Sequence, residues 1–197
     1  MWVDILVYDG LDELDAVGPL EVLRSAAAAG AGLDVRLVSG EAPREVVGAY
    51  GLRFLPDAPW QPGAEVLVVP GGGWADRAER GAWGEVRRGE LFPLLRQAAA
   101  DGAVMAAVCS GAMLVAAAGL VGTRRAATHH SAAADLAATG AQVVDDRVVD
   151  EGDLVTSGGV TAGIDLALWL VERFFDRELA DRLARRMEYR RWRPGGG

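Results

Sequence analysis

The sequence contains no lysine. All 20 basic residues are arginine, and with 28 acidic residues the formal net charge is −8. Without lysine the chain cannot form a Schiff base, anchor pyridoxal phosphate or build a phosphate-binding Gly-Lys-Ser/Thr loop. The acidic balance and the lack of a long basic stripe argue against a nucleic-acid partner. These absences exclude several classes of enzyme and binding protein.

Cysteine and histidine are also scarce. Cys109 is the only cysteine, so no internal disulfide can form, and with two histidines it cannot complete a Cys/His zinc cluster. No apolar run reaches 18 residues free of charge, which predicts no transmembrane helix. The first apolar run carries Asp4 and is not typical of a signal peptide. We therefore expect a cytoplasmic protein without a metal or a membrane partner.

Short apolar runs alternate with segments of helical periodicity along most of the chain. Strands are predicted at Val3–Tyr8, Asp34–Ser39, Val66–Val69, Ala103–Val108 and Leu154–Thr156, with a hairpin over Gln142–Asp150 and short candidate strands at Gly51–Leu55 and Ala126–Thr128. Helices are predicted at Asp15–Ala29, Glu90–Asp101, Ala112–Ala118, Ser131–Thr139, Ala162–Phe174 and Asp176–Arg186. Strands that are apolar at every position suit burial on both faces. The pattern therefore predicts an α/β fold with a doubly wound, mostly parallel sheet.

Asp15 is predicted to cap the first helix, which would place Pro19 in its opening turn, where proline is tolerated. No linker marks a second domain, so residues 1–190 are expected to form one domain and residues 191–197 a flexible tail.

Cys109 stands where a predicted strand runs directly into a predicted helix, with small residues such as Ala107 and Gly111 beside it. This arrangement is typical of a nucleophile elbow, a strained turn that needs small neighbours. At a helix N-terminus the free N–H groups and the helix dipole favour a thiolate. A lone cysteine is otherwise most often an inert core residue. The context favours a reactive nucleophile.

Other candidates lie where ligands bind in such sheets, beyond the carboxyl ends of the strands. Pro70–Gly73 follows a core strand, and the N–H groups of Gly72 and Ser110 could together hold an anion that develops on a substrate. Trp74 lines the same pocket or simply packs in the core. A carboxylate of the first helix could serve as general acid or base, but spacing alone does not choose Asp15 over Glu21.

The pair His129-His130 offers one histidine to this site, although isolated histidines are more often structural or surface residues. A cysteine–histidine pair would make an acyl-transfer nucleophile, but no histidine lies near Cys109 in the sequence. We count Gly72, Gly73 and His129 as candidate substrate-binding residues.

Several motifs occur in the order found in a known family: Leu14–Leu23, Val69–Gly72, Val108–Gly111, Ala127–His129 and Gly158–Asp165. Over residues 2 to 190 the chain resembles the PfpI superfamily, which includes the parkinsonism-associated deglycase. The resemblance implies a flavodoxin-like fold of the class I glutamine amidotransferase kind, and a homodimer. Within the superfamily the chain most resembles the isonitrile hydratase branch.

That resemblance implies roles for three residues. Cys109 matches the nucleophile, Asp15 matches the essential acid in preference to Glu21, and Ser110 stands where the hydratase branch has threonine. The protease-like branch has histidine directly after the cysteine, which this chain lacks. The deglycase branch has glutamate at the position of Asp15. The pattern therefore argues against a peptidase and favours the hydratase branch.

The implied reaction converts an isonitrile, a small-molecule substrate, to an N-substituted formamide without a cofactor. Cys109 attacks the isonitrile carbon, Asp15 supplies the proton to give a thioimidate, and Asp15 then activates water. One alternative is a glyoxalase or deglycase-like reaction on 2-oxoaldehydes that uses Cys109 and His129. Another is a thiol redox sensor. The sensor half of a transcription regulator is less favoured, because we expect no DNA-binding domain after residue 197.

Overall fold

The computed structural model describes residues 1–40 and 44–193. Its centre is a seven-stranded sheet in the spatial order β10-β11-β7-β6-β1-β2-β5, parallel throughout except for the edge pair β10 and β11. These strands are β1 (Trp2–Leu6), β2 (Asp34–Ser39), β5 (Ala58–Pro59), β6 (Val66–Val69), β7 (Val104–Val108), β10 (Val148–Asp150) and β11 (Leu154–Ser157). β6 and β7 are buried at every position, as their apolar sequences predict.

Helices cover both faces of the sheet. One face carries α1 (Glu13–Ala28), α6 (Ala162–Phe174) and α7 (Arg177–Arg186), which pack against each other. The other face carries α2 (Ala82–Arg88), α3 (Phe92–Ala100), α4 (Gly111–Ala117) and α5 (Ala133–Ala138). Two small two-stranded sheets lie outside the main one, formed by β3 (Val46–Val47) with β4 (Arg53–Phe54) and by β8 (Arg125–Ala126) with β9 (Gln142–Val143). The predicted doubly wound α/β architecture is confirmed.

The predicted hairpin over Gln142–Asp150 is wrong. β9 instead pairs in parallel with β8, and β10 forms its antiparallel pair with β11, so the hairpin turn lies at residues 151–153. The prediction also missed α2, a seven-residue helix that contains a glycine and begins without a side-chain cap. Short elements of this kind depend on tertiary packing more than on local propensity.

The start of α1 also differs from the prediction. Its N-cap is Asp12, whose side chain accepts a hydrogen bond from the Leu14 N–H at 3.2 Å, and Asp15 lies inside the first turn. Pro19 is therefore within the helix and not in its opening turn. Because proline has no N–H, the Asp15 carbonyl loses its usual helical partner.

The C-terminal segment is packed where a flexible tail was expected. The Arg191 side chain is 4% exposed and pairs with Glu172 and Asp181. The Trp192 N–H donates to Asp165 at 2.9 Å, and its ring packs against Trp169. Residues 191–193 thus belong to the folded body, and residues 194–197 lie outside the described part. Over the described ranges, no helix is both long and apolar enough to cross a membrane.

Candidate active site

Cys109 occupies the turn between β7 and α4, at the carboxyl edge of the sheet. Its φ of 57° lies in the left-handed region, which is strained for a residue with a side chain. The turn requires glycine at position 111, because a Cβ there would lie 2.0 Å from the Val69 carbonyl oxygen. The Cys109 N–H donates to the Gly158 carbonyl at 3.0 Å. The geometry is that of the predicted nucleophile elbow.

Asp15 lies directly behind the elbow and is fully buried. Its Oδ2 accepts a hydrogen bond from the Gly71 N–H at 2.9 Å, while its Oδ1 has no partner with hydrogen-bond geometry among the described residues. Burial raises the pKa of Asp15 to about 8, the charge of Asp12 adds to the rise, and the Gly71 N–H and the nearby Cys109 thiol oppose it. Glu21 is exposed on α1, away from this pair.

The surroundings of Cys109 favour the protonated thiol and not the thiolate that the sequence predicts. Burial raises the pKa of the Cys109 thiol to about 12, and the neighbouring Asp15 carboxylate adds to the rise. The N–H groups of Val160 and Ser110 face the sulfur and act in the opposite direction. Desolvation outweighs these donors, so the resting site holds a protonated thiol next to a largely protonated carboxyl.

The glycine loop does not form the predicted anion site. The Gly72 N–H donates to Ser110 Oγ at 2.9 Å, so it is not free to bind an oxyanion on a substrate. Ser110 is the N-cap residue of α4, but its side chain caps no helix N–H and its Oγ accepts from Gly72 instead. The hydroxyl proton remains available as a donor. Ser110 therefore offers its hydroxyl where the sequence predicted a backbone pair.

A cavity of about 690 Å³ opens over the elbow. The candidates that reach it are Cys109, Ser110, Gly72, Gly73 and His129, joined by Asp12, Tyr50, Trp74 and Val160. Trp74 thus lines the cavity while remaining 4% exposed. Asp15 lies behind Cys109 and outside the lining set. The structure brings the predicted nucleophile, the predicted acid and the predicted binding residues together at one edge of the sheet.

His129 reaches the same cavity from the segment after β8. Its Nδ1 lies 2.8 Å from Ser131 Oγ and 3.2 Å from the Ser131 backbone nitrogen, so Ser131 holds the ring in place. Burial lowers the pKa of His129, and so does the adjacent His130, whose ring centroid lies 4.0 Å away. His129 is therefore a neutral imidazole at physiological pH.

Two further residues contribute to the site, although the sequence analysis assigned neither of them a role there. Val160 adopts a φ of 44° and directs its N–H at the Cys109 sulfur, and Asp12 lines the cavity while it caps α1. The run Gly158-Gly159 just before Val160 marks a tight turn and belongs to the motif Gly158–Asp165, but it does not show that the Val160 N–H would face the sulfur. Across residues 1–40 and 44–193, no three His, Cys, Asp or Glu side chains are grouped so as to hold a metal ion.

The family model described as the DJ-1/PfpI family matches residues 1–173. The chain belongs to the DJ-1/PfpI family. Isonitrile hydratase from Pseudomonas putida is 32% identical over 189 residues, which cover 95% of this chain and 78% of that protein. The glutathione-independent glyoxalase DJR-1.2 from Caenorhabditis elegans is 29% identical over 146 residues, which cover 72% of this chain and 73% of that protein.

A solved structure of a ThiJ/PfpI family protein from Pseudomonas syringae shares the fold of this DJ-1/PfpI member. The TM-score is 0.81 at 28% identity, and the match covers 98% of this chain and 76% of that one. The relatives thus agree on the family and the fold, while their names include two different activities.

Proposed function

We propose that this protein hydrates isonitriles to N-substituted formamides, with Cys109 as nucleophile and Asp15 as the group that moves the protons. The observation that carries the proposal is the buried pair of Asp15 and Cys109 beneath an open cavity. The pKa of about 8 leaves Asp15 mostly protonated at neutral pH, and this suits a general acid. The similarity to isonitrile hydratase over 95% of the chain supports the same reaction.

In the first step, the terminal carbon of the isonitrile uses its lone pair to take a proton from Asp15. The Cys109 sulfur bonds to the same carbon, and the thiol proton passes to the Asp15 carboxylate. The product is a thioimidate, R–N=CH–S–Cys109, and Asp15 is again an acid. The N–H groups of Ser110 and Val160 stabilise the negative charge on sulfur while the proton is in transit.

In the second step, water adds to the thioimidate carbon. Asp15 gives its proton to the nitrogen and takes one from the water, which yields R–NH–CH(OH)–S–Cys109. The carbon–sulfur bond then breaks, the hydroxyl proton reaches the sulfur through Asp15, and R–NH–CHO leaves. The sum is one isonitrile plus one water giving one formamide. The Ser110 hydroxyl, which accepts from the Gly72 N–H, is free to donate to the substrate or the water.

The substituent R is proposed to occupy the cavity between the elbow and Tyr50. Gly72, Gly73 and His129 line it near Cys109. A volume of about 690 Å³ is within the range of small-molecule sites and exceeds what a short alkyl group fills. We therefore expect larger isonitriles to be accepted.

The test is a panel of alkyl and aryl isonitriles with direct measurement of formamide. The wild type is expected to form formamide, Cys109→Ala to form none, and Asp15→Asn to be severely impaired. Glu21→Gln is the matched control, because Glu21 is an exposed carboxylate on the same helix as Asp15. A folded wild type that yields no formamide from any isonitrile contradicts the proposal.

A second candidate is a glyoxalase-like reaction on 2-oxoaldehydes. Two observations support it: His129 shares the cavity with Cys109, and a glyoxalase is among the relatives. Methylglyoxal turnover that survives Asp15→Asn but not His129→Ala would favour this activity over isonitrile hydration.

A redox sensor receives less support, because a thiol whose pKa is raised oxidises less readily than an exposed thiolate. Selective oxidation of Cys109 to the sulfinic acid, with no turnover of any substrate, would favour it. The homodimer and the cytoplasmic location stay predictions.

A further inference from the structure

We propose that Arg147 is a positioning residue, which holds the loop of residues 158–161 against Cys109 by binding that loop at both ends. The inference rests on Cys109 being the nucleophile of the proposed function. Arg147 lies just before β10 and does not line the cavity over the elbow. It acts through the backbone of the loop.

The loop 158–161 contacts both candidate reactive side chains. The Gly158 carbonyl accepts the Cys109 N–H at 3.0 Å, and the Val160 N–H faces the Cys109 sulfur. Gly159 lies against the imidazole of His129 so closely that a Cβ there would be 2.2 Å from Cδ2. Any shift of this loop therefore changes the surroundings of Cys109 and His129 together.

The conformation that aims the Val160 N–H is unfavourable by itself. Val160 is β-branched and has a φ of 44°, in the left-handed region that such residues avoid. A residue in this region persists only where its neighbours enforce the conformation. The loop thus needs contacts from outside to keep the N–H directed at sulfur.

Arg147 provides these contacts at the two ends of the loop. Its carbonyl accepts the Gly158 N–H at 3.1 Å, and its guanidinium donates from Nη2 to Thr161 Oγ1 at 3.1 Å. Asp165 orients the guanidinium, because its Oδ2 accepts from Arg147 Nε at 2.5 Å. Asp165 is 2% exposed and also accepts from the Tyr189 hydroxyl at 2.8 Å. The guanidinium is thereby fixed on a buried anchor.

The test uses alkylation of Cys109 by iodoacetamide, which reports on one thiol because the chain has one cysteine. Thr161→Val removes the acceptor hydroxyl without a change of shape, and Thr161→Ser keeps it. Arg147→Met removes the guanidinium, and Arg173→Met is the control, because Arg173 pairs with Asp150 outside this network. We expect Thr161→Val and Arg147→Met to slow alkylation at pH 7.5 by about three- to tenfold, as the loss of one hydrogen bond predicts. Thr161→Ser and Arg173→Met should stay within about twofold of the wild type.

The sign of the change separates positioning from a purely structural role. A pocket that is merely loosened exposes Cys109 and speeds its alkylation, whereas a thiolate that loses the Val160 N–H reacts more slowly. Unchanged or faster alkylation in Thr161→Val overturns the proposal, and this pair of threonine variants decides the matter if Arg147→Met does not fold. Because alkylation requires no turnover, the outcome is independent of whether isonitriles are the substrates.

Discussion

Three aspartates of the described residues are almost completely buried, Asp4, Asp15 and Asp165, and the surroundings of the last two differ sharply. Asp165 on α6 accepts hydrogen bonds from the Arg147 guanidinium, the Tyr189 hydroxyl and the Trp192 N–H. Asp15 on α1 accepts one from the Gly71 N–H, and no arginine pairs with it among the described residues. Three donors thus compensate the buried carboxylate of Asp165, whereas one oxygen of Asp15 has no hydrogen-bond partner and lies next to a thiol.

Asp165 thus has a structural role, whereas the environment of Asp15 suits an acid–base role in catalysis. A buried charge without a cation is costly, so Asp15 retains a proton, whereas Asp165 satisfies three donors and joins the C-terminal segment to α6. Unsatisfied buried polar groups are rare in folded proteins and often mark functional sites. The difference supports Asp15, and not Asp165, as the acid of the proposed reaction.

The largest expected effect concerns the rate of formamide formation. Above a pH of about 8, the pKa of Asp15, the wild-type rate should fall about tenfold per pH unit as the acid loses its proton. Asp15→Asn should be slower by about 10²- to 10⁴-fold and lack this alkaline limb. The rate of Asp165→Asn should be reduced only several-fold and should still fall above a pH of about 8. A limb that persists in Asp15→Asn would show that another group is the acid.

The next effect concerns stability against pH. The pKa of Asp15 is raised from about 4 in the unfolded chain to about 8 in the fold, so the folded state binds the extra proton between these values. The free energy of unfolding should therefore fall by up to about 1.4 kcal/mol per pH unit as the pH rises through this window. Urea unfolding at pH 5 and 7.5 measures it. Between pH 5 and 7.5 the free energy of unfolding of Asp15→Asn should fall by about 3 kcal/mol less than that of the wild type. An equal pH dependence in the two proteins would contradict the raised pKa.

Asp165→Asn tests the other side of the comparison. The amide keeps one acceptor oxygen but replaces the second by a donor, which faces the Arg147 guanidinium and the Tyr189 hydroxyl. We expect a loss of about 2 kcal/mol in the free energy of unfolding at pH 7, at the lower end for such pairs because the Arg147 side chain is 41% exposed. Arg182→Met, which breaks an exposed pair with Glu178, should change it by less than about 0.5 kcal/mol. Equal losses in Asp165→Asn and Arg182→Met would show that the buried Asp165 pair contributes no more than an exposed one.

The smallest expected effect is at Ser110. Ser110→Ala leaves the Gly72 N–H without its acceptor and removes the hydroxyl donor, so the rate of formamide formation should fall about five- to tenfold. Ser110→Thr keeps the hydroxyl and should remain within about twofold of the wild type. Steady-state kinetics with one isonitrile measures both variants. Equal rates in Ser110→Ala and wild type would exclude a role for the hydroxyl.

Much of the architecture could be predicted from periodicity alone. The buried strands β6 and β7 are uniformly apolar, and α6 matches its predicted bounds, because burial on both faces of a sheet leaves a direct mark on composition. Short elements are harder to recognise, because few residues carry their pattern. α2 was missed, and β9 pairs with β8 across some fifteen residues of chain rather than within a hairpin. Pairing partners of short strands depend on packing between distant segments.

The site was predicted unevenly for the same reason. The elbow at Cys109 is a local feature of strand, small residues and helix, so the sequence marks it. The choice of Asp15 over Glu21 came from the family resemblance, and the structure agrees with it because Asp15 is buried beside Cys109 and Glu21 is exposed. The structure instead pairs the Gly72 N–H with Ser110 Oγ, and burial raises the pKa of the Cys109 thiol. Hydrogen-bond partners and desolvation arise only when distant segments meet.

By itself, the sequence determined that this is a lysine-free α/β chain with one cysteine at a strand-to-helix turn, because composition and local periodicity are carried by neighbouring residues. The tertiary structure decided the protonation of that cysteine and of Asp15. It also decided the role of the Ser110 hydroxyl and the support of the Val160 N–H by Arg147. The physical reason is that pKa values and hydrogen-bond partners depend on burial and on groups far away in the chain. Gly71, which donates to Asp15, is 56 residues from it, and Asp15 in turn raises the pKa of the still more distant Cys109.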